Sequence, residues 1–430
     1  MNRRVAYATL ALVSALPRLA VLLHEREAIV SGVEKSYVFA QVFVQNGTYG
    51  LIPGEPSAYT QPLYGFVLIP VWWLFGGGWL PIGLAQIGLA VVTAWLVYEI
   101  GRRILGPRAG VAAAVIATLN PYLVWHDVHI NREIVDQVCA AGLVLLTLAV
   151  ADRPSKRLAA LLGVVCGLAI LGNTRLVLIP LLCAGYLAWR LPRARSTAVA
   201  AALVLAGAAV AVAPWVVRNK VNVGCFALTT DARALWKANN VQTYDLLSSG
   251  QWIDNVRNPP RPAEPGHLTP EEARGRYDAT NGRVVLHPDE CLAMRFFEHR
   301  VLDYWRDHPG DKAKLMGLSE QLLWQPNVIE TGGSGAGPHL GAGRRIVEPA
   351  YMWAVYALAV AGLFVVPRAF VALALVLLAY QSLCAAVFVG ATRYRVPWDF
   401  LTVLLATAAL VRAFAWARER RGGDAPAPTT

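Results

Sequence analysis

The sequence is short of charge. Only 16% of its 430 residues are Asp, Glu, Lys or Arg, while 56% are hydrophobic. Soluble domains carry about 25% charged residues. So little charge excludes a wholly soluble globular protein. Acid is scarcer than base, 28 Asp and Glu against 39 Lys and Arg, for a net charge of +11. In a soluble protein that excess would suggest nucleic acid. Here most of the basic residues sit in short loops between apolar runs, where they orient membrane spans, and nucleic acid is not an expected partner. There are six cysteines. Cys139, Cys166, Cys183 and Cys384 lie within apolar runs as small fillers. Cys225 and Cys291 share a polar segment; an oxidising exterior would allow them to pair, although two free thiols are the simpler reading. No internal repeat is visible. The first apolar run, "VAYATLALVSALPRLAVLL", follows Arg3 and Arg4 without a small-x-small cleavage site, and reads as a retained first span.

Eleven apolar runs are present: 5–23, 62–76, 79–100, 109–125, 134–151, 158–172, 176–189, 197–216, 350–366, 369–390 and 397–415. If all of them cross, the arginines of "GRRILGPR" (101–108), "DRPSKR" (152–157) and "RLPRAR" (190–195) fall on the side opposite Arg3 and Arg4. That violates the positive-inside rule. Removing 62–76 as a crossing restores it. That run has about fifteen residues with Pro70 in its middle, short of the roughly 20 needed to span. It reads as a helix lying at, or dipping into, the outer face. The expectation is an all-α polytopic membrane protein with about ten transmembrane helices, a mostly helical extracytoplasmic segment and both termini cytoplasmic. Its parts are an N-terminal transmembrane catalytic module (1–216, with the outer loop 24–78), an extracytoplasmic domain (217–349), C-terminal spans (350–416) and a disordered cytoplasmic tail (417–430).

In this topology the stretch "WHDVHINREIVDQ" (125–137) faces out, and so does every long polar stretch. In the 217–349 segment, "NPPRPAEPGHLTPEEARGRYDATNG" reads as loop with one short helix. "HPDECLAMRFFEHRVLDYWRDHP" reads as a helix with Asp289 as N-cap. A second helix runs through "DKAKLMGLSEQLLW". "TGGSGAGPHLGAGRR" (331–345) lacks the GxxxxGK[ST] pattern of a phosphate loop and reads as a flexible loop.

Four stretches in order carry a family resemblance. They are "VEKSYVFAQVFVQNGTYG…YTQPLYGFVLIPVWWLFG", "LNPYLVWHDVHINREIVDQ", "PWVVRNKVNVGCFALTTDARALWKANN" and "ATRYRVPWDFLTVLLA". Together they resemble bacterial GT-C glycosyltransferases, in particular the protein O-mannosyltransferase and aminoarabinose-transferase group. The resemblance implies an enzyme that takes a sugar from a polyprenyl-phosphate carrier and moves it, with inversion, to an acceptor at the outer membrane face. It implies that the first-loop acid, here Glu34, is the base or positions the acceptor. Many members carry two adjacent acids at this point. Glu34 is followed by Lys35, which speaks against a metal bridged by paired carboxylates.

The residues support the same chemistry directly. Attack by an acceptor hydroxyl needs a base, and a departing phosphate needs fixed positive charge. The outer face offers Glu34 and Glu133 as candidate catalytic acids. Lys35, Tyr37, Tyr59, Tyr64, Arg132, Arg175, Arg218, Arg393 and Arg395 are candidates for the donor phosphate or substrate. Each has a plainer reading: Glu133 as a helix cap, Arg175 as a snorkelling cation, the tyrosines as an interfacial belt. Asp136 could pair with Arg132 one turn back, and Arg18 could serve packing. His126, Asp127 and His129 are the weak candidates for a metal, which leaves a divalent ion as an open option and no cofactor required. The expected partners are a polyprenyl-phosphate-linked sugar, a glycan, lipid or protein acceptor, and membrane lipid. The rival readings are a lipid-linked glycan polymerase or ligase, and a lipid or glycan transporter or flippase. Transporters carry repeats and midplane charge pairs; here the charges crowd the outer boundary.

Overall fold

A computed structural model describes residues 2–31, 34–192, 194–257, 268–280, 282, 284–326 and 342–423. Every apolar run forms helix. The chain opens with α1 (Arg3–Glu25), α2 (Ala28–Ser31) and α3 (Lys35–Asn46), the last closed by Gly47 at φ 71°, a left-handed position that suits glycine. α4 (Pro62–Phe75), α5 (Trp79–Leu105), α6 (Pro107–Thr118), α7 (Pro121–His126), α8 (Glu133–Asp152), α9 (Lys156–Gly172), α10 (Ile179–Arg190) and α11 (Ala194–Asn222) follow. The polar segment holds α12 (Ala232–Lys237), α13 (Thr243–Ser248), α14 (Pro270–Ala279), α15 (Glu290–Asp307) and α16 (Pro309–Trp324). α17 (Ala342–Gly362), α18 (Arg368–Val387), α19 (Thr392–Arg395) and α20 (Asp399–Gly423) complete the chain. Among the described residues there is no strand, only an isolated bridge between Ile52 and Glu55.

Among the described residues, six helical stretches are long and apolar enough to cross a membrane: α1, α5, α8, α11, α18 and the continuous run Thr392–Arg420. Shorter apolar helices fill the spaces between them, and the protein is an all-α polytopic membrane protein. α4 has 14 residues, about 21 Å at 1.5 Å per residue, against a hydrocarbon core of about 30 Å. Both its ends return to one end of the bundle. Gln61 reaches Thr174 and Arg132 there, and the Gly77 carbonyl accepts from Tyr37. The opposite end gathers Arg3, Glu99 and Arg102, with Arg103 against Asp152.

Close helix approach rests on small residues. A Cβ on Gly163 of α9 would lie 2.4 Å from the Val204 carbonyl oxygen of α11, and one on Gly207 would lie 2.6 Å from that of Ala160. Without a hydrophobic drive between helices in lipid, such backbone contact is what holds spans together.

The structure corrects several boundaries. The run 109–125 is two helices, because Asn120 caps α7 through the Tyr122 N–H and Pro121 takes its first position. α11 continues past 216 to Asn222, α17 begins at Ala342, and α20 runs to Gly423, so residues 417–423 are helix and not tail. The loop stretch 258–267, the glycine-rich stretch up to 341 and the last residues 424–430 lie outside the described residues. α14, α15 and α16 stand where the sequence places them, and the Asp289 carboxylate caps α15 through the Leu292 N–H at 2.8 Å. Cys225 and Cys291 are joined in a disulfide, against the simpler expectation of free thiols. The polar segment has one small apolar cluster of its own, around Trp236, Phe297 and Val301. Another small cluster, around Trp252 and Leu315, includes Val389 and Ala391 from the loop after α18. The segment is docked on the bundle.

Candidate active site

The dense ionisable stretch 125–137 divides in two. Asp127 points into the bundle and is fully buried. Arg18 of α1 meets its Oδ2 with Nη2 at 2.7 Å and Nε at 3.0 Å, and Gln137 donates to Oδ1 at 2.8 Å. Arg18 also donates to the Ser14 carbonyl and to Thr118. Gln86 of α5 donates to the Asp127 and His129 carbonyls, at 2.9 and 2.8 Å. Arg18 therefore serves packing. His129 is stacked on Trp125, with Nδ1 at 2.8 Å from the Trp125 carbonyl oxygen. His126, Asp127 and His129 do not converge, because Asp127 is turned away toward Arg18. Among the described residues no three His, Cys, Asp or Glu side chains are grouped to hold a metal ion.

The other half turns toward the loops. Arg132 stands at the N-cap of α8 without a side-chain cap bond, Glu133 is an acid of its first turn, and the Asn131 side chain accepts from the Ile134 N–H at 3.1 Å. Glu133 is freed for other work. It is buried, and its Oε2 lies 3.9 Å from Nε2 of His126. Arg132 donates to Gln61. Glu34 precedes α3 without capping it, and its Oε2 is buried with no hydrogen-bond partner. Burial and the neighbouring Glu133 raise its pKa to about 7, against the opposing pull of Arg132, Lys35 and Arg393. Such a poise suits a group that must take a proton near neutrality.

Three arginines gather on one phenol. The Arg175 guanidinium carbon lies 3.6 Å from the Tyr394 ring centre and that of Arg393 lies 4.9 Å away. Arg393 Nη2 donates to the Tyr394 hydroxyl at 2.9 Å, while Arg393 Nε is buried and unpartnered. Arg132 lies near enough for Tyr394 to act on its charge. Asp136 does not bond to Arg132 through its side chain; its Oδ2 accepts from Asn173 at 3.2 Å and its Oδ1 has no partner.

Other candidates stand apart. Arg395 is buried, paired with Asp399 at 2.8 Å, and donates to the Leu323 and Gln325 carbonyls at the end of α16. Arg218 braces the first loop by donating to the Ser57 and Tyr49 carbonyls, both at 2.8 Å. These two arginines hold backbone, and their donors are spent. Lys35 pairs with Asp231 at 3.3 Å over the Tyr59 ring. Burial pushes its ammonium down, but Asp231 and Tyr59 outweigh that and hold it above its ordinary range. Burial drives the Tyr59 phenol up to about 12. Tyr37 donates to the Gly77 carbonyl and Tyr64 to Gln86. Buried Glu290, beside the disulfide, accepts from the Ala58 N–H at 3.0 Å and from Thr230 at 2.6 Å, tying the polar segment to the first loop.

The structure thus brings together Glu34, Arg132, Glu133, Arg175 and Arg393, and adds Tyr394, His126 and Asn173. Tyr394 stands inside the quoted "TRYR" motif, and its flanking arginines were the available signal. Nothing in the sequence spacing points to Asn173.

A buried carboxylate oxygen without a hydrogen-bond partner, on Glu34, thus lies at the same end of the bundle as a buried cluster of arginines. Residues 58–217 match the family model described as dolichyl-phosphate-mannose-protein mannosyltransferase. The match covers a little over a third of the chain. The matched segment contains Arg132, Glu133 and Arg175 but not Glu34 or Arg393. No curated protein matches the chain significantly. The solved structures it resembles include the following three. ArnT from Cupriavidus metallidurans bound to undecaprenyl phosphate is 14% identical over 93% of this chain and 77% of its own, with a TM-score of 0.41. The same protein in the apo state is 16% identical over 97% and 80%, at 0.39. The Archaeoglobus fulgidus oligosaccharyltransferase in the apo form is 11% identical over 97% of this chain, at 0.49, and this chain spans 51% of its length.

Proposed function

We propose that the protein transfers a sugar from a polyprenyl-phosphate carrier to a hydroxyl acceptor at the outer face of the cell membrane, with inversion. Glu34 takes the acceptor proton as the acceptor oxygen bonds to the anomeric carbon. The bond from that carbon to the carrier phosphate breaks, and its electron pair leaves with the phosphate. Arg132, Arg175 and Arg393 take up the charge that develops there. Glu133, beside His126 and between arginines, holds this cationic wall in place and faces the acceptor. The charge parity of the loops supports the reading that this end of the bundle faces outside. The acceptor is a glycan, a lipid or a protein.

The observation that carries this reading is the pairing of a buried carboxylate oxygen without a partner, on Glu34, with unspent arginine donors around Tyr394. The test is release of polyprenyl phosphate from a panel of polyprenyl-phosphate sugars, using protein in lipid nanodiscs with cell-envelope acceptor. Release should require acceptor and fall by about 10²–10⁴-fold in Glu34→Gln, the range a positioned base contributes. Wild-type turnover in that variant would sink the role of Glu34. Release of a pyrophosphate carrier would instead support a polymerase or ligase.

A further inference from the structure

We propose that Asp136, which makes no contact with Glu34, Arg393 or Tyr394, is a positioning residue that sets Arg175 through Asn173; this rests on the donor-phosphate role given to Arg175 above. Asp136 lies in the first turn of α8 and is 3% exposed. Its Oδ2 accepts from Asn173 Nδ2 at 3.2 Å. Asn173 has two further jobs. Its side-chain oxygen accepts from the Arg175 N–H at 3.2 Å, and its backbone oxygen accepts from the Leu176 N–H at 2.9 Å. These bonds shape the 3-10 turn Thr174–Leu176. The turn's far side is held by Tyr380, whose hydroxyl donates to the Arg175 carbonyl. With its backbone gripped on both sides, Arg175 stacks on Tyr394.

The turn needs an acceptor oxygen at this place. An asparagine amide can rotate to present either atom, and its two faces are nearly equivalent in shape. The Asp136 oxygen draws the Asn173 NH₂ toward α8 and leaves the Asn173 oxygen for the Arg175 N–H. The contact is tight: a Cβ on Gly172 would come within 2.9 Å of Asp136 Oδ1. The turn has no room to settle elsewhere while that carboxyl is in place. Arg175 sits at the tip of a hairpin between two helices, where a long side chain has many rotamers to lose on ordering. Fixing its backbone reduces the cost of ordering it at each donor binding.

The test has two readouts. The first is the rate at which phenylglyoxal modifies Arg175, followed by mass spectrometry of nanodisc-embedded protein, which needs no turnover. Asp136→Ala and Asn173→Ala should each speed modification several-fold. Asp136→Asn, which can still offer an oxygen to Asn173, should stay within about twofold of wild type. An unchanged rate in Asp136→Ala overturns the relay, and so does an equal rise in Asp136→Asn, which would make the charge rather than the hydrogen bond responsible. The second readout is kinetic. Asp136→Ala should lower kcat/KM for the donor about tenfold, and should add nothing to Arg175→Ala in the double variant. Additive losses overturn the proposal. If no donor turns over in the wild type, the transferase reading fails while the modification experiment still decides the relay. Should Asp136→Ala not fold, Asn173→Ala carries the same comparison.

Discussion

Two groups of buried charge lie within one short stretch of chain, and their hydrogen bonding differs. Around Asp127 both carboxylate oxygens are bonded, and Arg18, Gln137, Gln86, Ser14 and Thr118 form a closed network. The Arg395–Asp399 pair is closed in the same way by the end of α16. Six to nine residues beyond Asp127, Glu133 and Asp136 belong to a different group, whose members keep spare capacity. Glu34 Oε2, His126 Nε2, Asp136 Oδ1 and Arg393 Nε are all buried without a hydrogen-bond partner. Leaving one such atom unpaired costs about 1–3 kcal/mol. A fold that closes one charged network and leaves its neighbour open tolerates that cost where a ligand completes the bonds. The closed network sets the geometry, and under the function proposed above the open one is left for substrate.

The comparison is broken most severely by removing one half of the closed pair. Asp127→Ala strands the Arg18 guanidinium inside the bundle, and breaking a buried pair costs about 3–5 kcal/mol. The expected outcome is a steep loss of folded protein in nanodiscs and a large drop in thermal midpoint. Arg18→Met with Asp127→Leu should recover most of it, because two apolar side chains leave no charge unpaired. If Asp127→Ala instead folds normally and loses only turnover, the division between closed and open networks is wrong.

A smaller effect is expected at the brace that holds the polar segment over the open network. The disulfide closes a separation of 66 residues, for which chain entropy gives about 4 kcal/mol as an upper figure. Glu290, next to Cys291, still grips Ala58 and Thr230 when the bridge is gone. Cys225→Ser with Cys291→Ser should therefore lower the unfolding free energy by about 2–4 kcal/mol, read by denaturation with and without reductant, and leave measurable turnover. Reductant should lower the wild type to the level of the variant and leave the variant itself unmoved. A reductant effect of equal size on the variant would show that the thiols are not bridged.

Much of this was legible in the sequence, and what was not has a common cause. Hydrophobic runs report local helix, and every one became helix. The shortness of 62–76 and its central Pro70 marked it as different, and α4 does return both its ends to one end of the bundle. Charge partners across the bundle are not local. Arg18 and Asp127 are 109 residues apart, and nothing in either neighbourhood shows that they meet. Arg393 and Arg395 are indistinguishable in "TRYR". Two residues along a short helix point to different sides, and only packing shows that one meets Tyr394 and the other Asp399. The close contact of Gly163 with Gly207 was equally hidden, since a glycine in an apolar run reads as filler until its neighbour is known.

The finest probe of the open network is the protonation of Glu34. Its pKa is raised from the usual carboxylate value to about 7, so the folded protein holds a proton that the unfolded chain has already released above pH about 4.5. Between those two values the native state binds more protons than the unfolded state, and stability falls as pH rises. Above pH 7 the carboxylate is charged in both states, and the full penalty of burying it among partly opposing charges is present. Glu34→Gln carries no such charge. It should be more stable than the wild type at pH 8, by on the order of 1–3 kcal/mol, with the difference shrinking toward zero near pH 4–5. Turnover by the wild type should run the other way, rising through pH 7 as the base is deprotonated and levelling above it. Arg132, Lys35 and Arg393 oppose the shift and Glu133 reinforces it, so Arg132→Gln should move the turnover midpoint upward. A closed-network residue cannot give this pattern, because there the charged form is the one its partners stabilise. Thermal melts of the two proteins at pH 5 and pH 8 would decide it, and a variant less stable than the wild type at pH 8 would place Glu34 among the structural charges after all.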